Sequence, residues 1–262
     1  MAIGLIIIGD EIMSGKRGDQ HFPNVVQILK ERGLQLDWAR YLGDDPDRIV
    51  SVLKESFATP DIVFCCGGIG STPDDHTRRC VSIAVGKPLE LHPEAKIKIV
   101  ERIAETAKDP NHIDYDSPDN IRRLQMGEYP AGSKIIPNPV NRIPGFSYGT
   151  HYFVPGFPQM AKAMIEWALD TYHQSLFHQT EYAEKSVVVY GAVEAKMTPL
   201  MEKIEGLFPA IRVFSLPHMG KTRLSNYVEL GVKGHPEKLD EAFSMLVAGL
   251  HELGAKYQLG DK

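Results

Sequence analysis

The first third of the chain alternates short apolar runs with segments of helical periodicity. Residues 2–8 are continuously apolar, and the turn-prone Gly9-Asp10 closes them, as expected of a parallel strand covered on both faces. Over residues 22–32 apolar positions recur at helical spacing, and Gly33 follows as a C-terminal glycine would. Residues 36–42 alternate loosely and predict a second strand. Asp45-Pro46 marks a helix start, because Asp caps free N–H groups and Pro suits the first helical position. That helix runs to about Phe57, and Thr59-Pro60-Asp61 separates it from a third strand at 62–66. A glycine-rich loop, Gly67-Gly68-Ile69-Gly70-Ser71-Thr72-Pro73-Asp74-Asp75, then leads into a helix over 77–85. This order predicts an α/β fold with a mostly parallel sheet.

A helix is predicted from Pro93 to 107. The stretch 109–148 is rich in Pro, Gly and Asn and predicts a surface wrap with one short strand at 134–136. A strand at 150–154, a turn at 155–158 and a helix at 159–172 follow. Residues 173–179 carry no strong pattern, which places a domain boundary there. The remainder reads as strand 184–190, helix 193–208, strands 211–216 and 223–232, and helix 236–253. Two domains are therefore expected, 1–175 and 180–262, the second a small β-α-β-β-α module.

Composition narrows the function classes. A chain of 262 residues exceeds the usual single domain, and 43% hydrophobic with 24% charged residues describes a globular protein with a real core. A net charge of −5 argues against nucleic-acid or membrane partners. Cys65, Cys66 and Cys80 show no CxxC spacing and cannot form a disulfide framework, so a reducing, cytoplasmic location is expected. No apolar run approaches the roughly 20 residues that cross a bilayer. The N-terminal apolar run has only Met1 before it and Asp10 and Glu11 after it, which fits a strand better than a signal peptide.

The glycine loop is the most informative segment. Gly67, Gly68 and Gly70 let backbone N–H groups approach an anion, and the next helix adds its positive end, so a phosphate or pyrophosphate site is expected with Ser71 and Thr72. No Lys precedes Ser71-Thr72 and no third glycine stands at dinucleotide spacing, which excludes both common nucleotide fingerprints. A tight turn without ligand is the plainer alternative. Acidic pairs follow all three strands: Asp10 and Glu11, Asp44 and Asp45, Asp74 and Asp75. If the strands are parallel neighbours, these pairs converge at one sheet edge. Carboxylates beside a phosphate cradle call for Mg²⁺ or a similar hard cation. Helix capping is the alternative for Asp45 and Asp75. Cys65 and Cys66 read as core. His76 fits a first-turn surface position or a ligand contact. His151 and His218 lack partners at metal-ligand spacing, and Lys221 and Arg223 read as solvated hairpin charges.

Several of these segments resemble the MoaB/Mog molybdopterin-binding family, most closely the N-terminal domain of CinA (competence/damage-inducible) proteins. The resemblance rests on Gly9-Asp10-Glu11-Ile12 with Gly15 and Asp19, Gly43-Asp44-Asp45 with Ile49, and the sequence GGIGSTPDDHT at 67–77. Further pieces follow in order: Asn120 with Arg122 and Arg123, Pro130-Ala131-Gly132, Asn138-Pro139, Ile143-Pro144-Gly145-Phe146, and Val154 to Met160. It covers about residues 1–170, and the C-terminal module is similar to the small middle domain of CinA proteins. The resemblance implies a three-layer α/β/α fold that binds a pterin or nucleotide through its phosphate. It implies metal binding and catalysis at Asp44 and Asp75, and a pocket rim shaped by Asn138-Pro139 and Pro155-Gly156; Asp74, the first acid of its pair, is a further candidate metal ligand beside them. This chain departs from the pattern at Ile69 and Ser71, at His21-Phe22, and at Asn141-Arg142-Ile143, where added bulk implies a narrower or recharged pocket.

For function, the resemblance implies metal-dependent hydrolysis of a nucleotide pyrophosphate such as ADP-ribose. A role in molybdenum-cofactor biosynthesis, adenylating or binding molybdopterin, is the alternative, and a non-catalytic ligand-binding oligomer a third. Homo-oligomers, trimers or dimers, are implied as well.

Overall fold

The computed structural model describes residues 1–262 except 108, 110–111, 180–182, 192–193, 219–225 and 260–262. It divides into two compact units, Met1–Phe177 and His178–Lys262. The first unit opens with β1 (Ile3–Ile8), a short turn of helix α1 (Asp10–Met13), α2 (His21–Glu31), β2 (Trp38–Leu42), α3 (Pro46–Phe57), β3 (Ile62–Cys66) and α4 (Thr77–Val85). It continues through β4 (Leu89–Leu91), α5 (Pro93–Thr106), α6 (Pro118–Gln125), β5 (Glu128–Pro130), β6 (Lys134–Ile136), β7 (Gly145–Tyr148), β8 (His151–Val154) and α7 (Pro158–Tyr172).

Six strands form the central sheet in the order β2-β1-β3-β8-β7-β6. The first four run parallel, and β7 and β6 close that edge antiparallel. Successive strand residues point to opposite faces, and both faces are covered, which is why β1 and β3 are apolar without interruption. Leu5, Ile7, Phe64 and Cys66 pack against Val25, Ile28 and Leu29 of α2 and Met164, Ile165 and Ala168 of α7. Ile6, Ile8, Val63 and Cys65 pack on the other face against Ile49 and Leu53 of α3, Cys80 and Val81 of α4 and Ala95 of α5. The unit is thus three-layered, α/β/α. Cys65 and Cys66 are wholly buried, and burial pushes both thiols up, so they are core residues.

The stretch 109–148 holds more regular structure than its composition predicts. α6 has no buried residue, so no apolar stripe marks it. Among the described residues β5 pairs only with β4, and β6 and β7 form a hairpin; strands of three or four residues are too short to show a period.

The second unit consists of β9 (Ala183–Tyr190), α8 (Glu194–Leu207), β10 (Ile211–His218), β11 (Tyr227–Gly234), α9 (Pro236–Glu252) and β12 (Lys256–Leu259). Its antiparallel sheet has the order β10-β11-β9-β12. Val187, Val189, Leu230 and Val232 meet Ile204 of α8 and Leu239, Leu246 and Leu250 of α9 in a separate core. β12 adds a strand to the expected module; it is short, and three of its four residues are exposed, leaving no strand signal. Lys221 and Arg223, and the start of the strand expected at 223–232, lie outside the described residues.

Candidate functional site

The chain places β2 on one side of β1 and β3 on the other, so the strand order reverses between β1 and β3. In open α/β sheets the crevice for ligands lies at such a point, beyond the carboxyl ends of the strands. Here that edge gathers the turns after β1, β2, β3 and β8. Gly9 N–H donates to the Leu42 carbonyl and Gly67 N–H to that of Val154, each at 3.0 Å, tying adjacent turns together. The β6–β7 connection, with Asn138, joins the same edge, because Phe146 near the start of β7 pairs with Phe153 near the end of β8.

Each glycine of the loop after β3 is required by a close approach within the protein. Gly67 has φ +108°, and a Cβ there would lie 2.2 Å from the Ile8 carbonyl oxygen. Gly68 has φ +68°, and its Cβ would lie 2.2 Å from Thr77 Oγ1. A Cβ on Gly70 would meet Asp75 Oδ2 at 2.6 Å. Thr77, fully buried, donates through Oγ1 to the Gly67 carbonyl at 3.0 Å, while its N–H donates to that of Gly68 at 2.9 Å. The Asp75 carboxylate turns back into the loop. It accepts from Gly70 N–H at 2.9 Å, Thr72 N–H at 2.8 Å and Thr72 Oγ1 at 2.5 Å. Asp75 therefore caps the loop rather than α4, whose N-cap position is held by His76 without a side-chain capping bond. Asp45 does cap its helix, accepting from Asp47 and Arg48 N–H.

The parallel order β2-β1-β3 brings the acidic pairs to one edge. Asp10 and Asp44 are reciprocally bonded: each carboxylate accepts the other's backbone N–H, at 2.8 and 3.1 Å. Burial, and then the fields of Asp10, Glu11 and Asp74, raise the Asp44 carboxyl above its ordinary range, partly offset by the Asp10 N–H. Glu11 lies back over Gly9, where a Cβ would meet Glu11 Oε2 at 2.7 Å. Asp44, Asp74 and Asp75, the expected Mg²⁺ set, all lie at this edge, with Asp74 close enough to Asp44 to raise its carboxyl. Among the described residues no three His, Cys, Asp or Glu side chains are placed to hold a metal ion, and the Asp75 oxygens are bonded to the loop.

Other expected residues fall around this edge. Gly156 packs beside Gly67, where a Cβ on Gly156 would lie 3.6 Å from the Gly67 Cα, and its carbonyl meets His21 Nε2 at 3.2 Å. Pro155 precedes it in the same turn. Asn138 is buried; its Oδ1 accepts from Val140 N–H, and its Nδ2 has no partner among the described residues. Ser71 and Thr72 are exposed at the loop tip. Arg142 does not recharge the pocket: it pairs with Glu105 of α5 at 2.9 Å and Glu101 at 3.7 Å. A cleft of about 340 Å³ lined by His92, Glu94, Lys134, Trp167 and Tyr172 involves none of the expected site residues.

Three further residues stand beside the site: Asp19 and His21, visible in the sequence only as a match to and a departure from the family pattern, and Arg78, which no sequence pattern singles out. Asp19 accepts from the N–H groups of His21 and Phe22 and from the Tyr41 hydroxyl, fixing the start of α2. Burial lowers the pKa of His21, which favours the neutral ring against the Gly156 carbonyl. Arg78 folds back from α4 to donate to the carbonyls of Gly70, at 2.6 Å, and Gln125. Desolvation lowers its pKa, with Asp75 and Glu128 among the groups that oppose the shift. Only an arginine next to the motif is visible in the sequence; its return to the loop depends on α6.

Residues 4–178 match the family model described as a probable molybdopterin binding domain. A CinA-like protein of Citrifermentans bemidjiense is 31% identical over 208 residues, 77% of this chain and 47% of that protein. A CinA-like protein of Syntrophotalea carbinolica is 29% identical over 79% of this chain and 50% of its own length. A Pyrococcus furiosus protein is 30% identical over 81% of this chain and 84% of its own. The chain thus spans about half the length of the CinA-like relatives. Among solved structures, CinA of Thermoplasma acidophilum, described as of unknown function, superposes with a TM-score of 0.54 at 24% identity, covering 65% of this chain and 97% of that one.

Proposed function

The chain belongs to the family of probable molybdopterin-binding domains, and from that premise we propose that its first unit binds a phosphate-bearing pterin or nucleotide at the carboxyl edge of the sheet. The observation that carries this reading is the glycine loop already holding an anionic group, the Asp75 carboxylate, on Gly70 N–H, Thr72 N–H and Thr72 Oγ1. Donors that take a carboxylate at 2.5–2.9 Å suit a phosphate oxygen equally. The N-terminal end of α4 favours negative charge at the same place. The turn at Pro155-Gly156 and the loop of Asn138 form the rim against the ring system of the ligand.

Calorimetric titration with molybdopterin, AMP and ADP-ribose tests the reading. At least one should bind, and Gly68→Val should abolish binding, because the branched side chain opposes φ +68° and collides with Thr77. A folded Gly68→Val variant that binds as the parent does would refute the placement.

The crowding of Asp10, Glu11 and Asp74 around Asp44 favours a second reading in the same pocket. A nucleotide pyrophosphate would arrive with its own divalent counter-ion and be hydrolysed there. Product analysis with ADP-ribose, with and without a chelator, decides it; no turnover with Mg²⁺ present eliminates hydrolysis and leaves binding. Self-association accompanies either reading, and light scattering that shows only monomer at micromolar concentration would refute it.

A further inference from the structure

We propose that Asp75 is an internal competitor for the phosphate seat of the glycine loop, so that ligand phosphate binds by displacing this carboxylate. The proposal rests on the binding reading above and adds how that site is regulated. Three observations support it. First, Asp75 is more fully bonded to the loop than a helix cap requires, with both oxygens accepting and three donors engaged. Second, Gly70 is glycine to make room for this carboxylate, since a Cβ would lie 2.6 Å from Oδ2 and 3.1 Å from Cγ. The position is shaped around an occupied seat. Third, the Arg78 guanidinium holds the next peptide of the same residue, donating to the Gly70 carbonyl at 2.6 Å. Among the described residues Arg78 makes no ion pair, and its Nε is buried without a partner. A desolvated cation that makes no ion pair of its own favours an anion in the seat beside it. Asp75 supplies that anion when no ligand is present, and a phosphate supplies it otherwise.

This assignment departs from a metal-holding role for Asp75, and the two differ in the sign of one effect. If Asp75 competes with the ligand, only the fraction of molecules with the carboxylate swung out is ready to bind, and apparent affinity is reduced by that fraction. Removing the carboxylate then strengthens binding. If Asp75 instead holds a cation bridging to the phosphate, removing it weakens binding.

The experiment is titration of the full chain with inorganic phosphate and with AMP at fixed ionic strength, followed by calorimetry and by the backbone amide signals of Gly70 and Thr72. Asp75→Ala should tighten binding by about 10-fold or more, the reciprocal of a seat open about a tenth of the time. Asp74→Ala removes the same charge one residue away, giving up a bond to Thr72 but leaving the Asp75 carboxylate seated on the Gly70 and Thr72 N–H groups, and should gain far less. Thr72→Val deletes a hydroxyl that serves Asp75 and an incoming phosphate alike while keeping the carboxylate, so it should not reproduce the gain of Asp75→Ala. In the parent, phosphate should shift the Gly70 and Thr72 amides. Asp75→Ala binding no better than Asp74→Ala, or weaker than the parent, overturns the competitor role while leaving the site reading intact. No binding in any variant, Asp75→Ala included, overturns both.

Discussion

His151 opens β8 with only 1% of its surface exposed, and its Nε2 lies 2.7 Å from Ser56 Oγ at the end of α3. The Phe57 ring stacks on it at 4.0 Å, and its Nδ1 has no partner among the described residues. Burial lowers its pKa from 6.5 to about 4, opposed only by the field of Asp61. The neutral ring is therefore the folded form, and the unfolded chain binds a proton that the folded chain refuses between pH 6.5 and about 4. Stability from this group is fully present above pH 6.5 and is lost as pH falls through that window. With those two pKa values, linkage gives a loss of about 2 kcal/mol between pH 7 and pH 5. His151→Gln keeps a polar partner for Ser56 without a titrating ring. Both tryptophans, Trp38 and Trp167, belong to the first unit, so urea unfolding followed by their fluorescence reports that unit alone. The parent should lose about 2 kcal/mol more than His151→Gln between the two pH values. Carboxylates titrate in both proteins and cancel in the difference. Equal slopes would refute the account.

Gly67→Ala should destabilise the first unit by about 2 kcal/mol or more, since the new Cβ meets the Ile8 carbonyl and φ stays positive; a melting temperature within a degree of the parent would contradict this. Asp45→Ala should cost about 1 kcal/mol through loss of the α3 cap, measured by urea unfolding, and Asp45→Ser should recover most of it.

The fold was legible where one physical demand dominated a segment. Strands buried on both faces must be apolar throughout, so β1 and β3 announced themselves; Asp45-Pro46 marked a helix start because capping is local chemistry. The region 109–148 was less legible because its strands gain their hydrogen bonds from distant partners, as when β5 pairs with β4, and α6 buries nothing. At the site, the converging acids followed from strand order, which the alternation of elements suggests. What Asp75 does there depends on a loop reversal over five residues that brings its carboxylate to Gly70 N–H, and no residue pattern distinguishes that from a helix cap. His151 shows the same limit: its partner Ser56 stands 95 positions away.

The pairing of β3 with β8 has a consequence for how the chain is made. Val63 to Cys66 of β3 lie beside His151 to Val154 of β8, and residues 67–150 must be synthesised between them. At about 5–20 residues per second, that interval lasts roughly 4 to 17 s. Throughout it, β1, β2 and β3 can form a half-sheet whose open β3 edge is Ile-Val-Phe-Cys-Cys, every residue of which ends fully buried. An unpaired apolar edge is a template for strands of other chains. Cys65 and Cys66, inert once β8 docks, are open to oxidants only during this window, so the ribosome-bound intermediate rather than the finished protein is the form most exposed to aggregation and thiol damage.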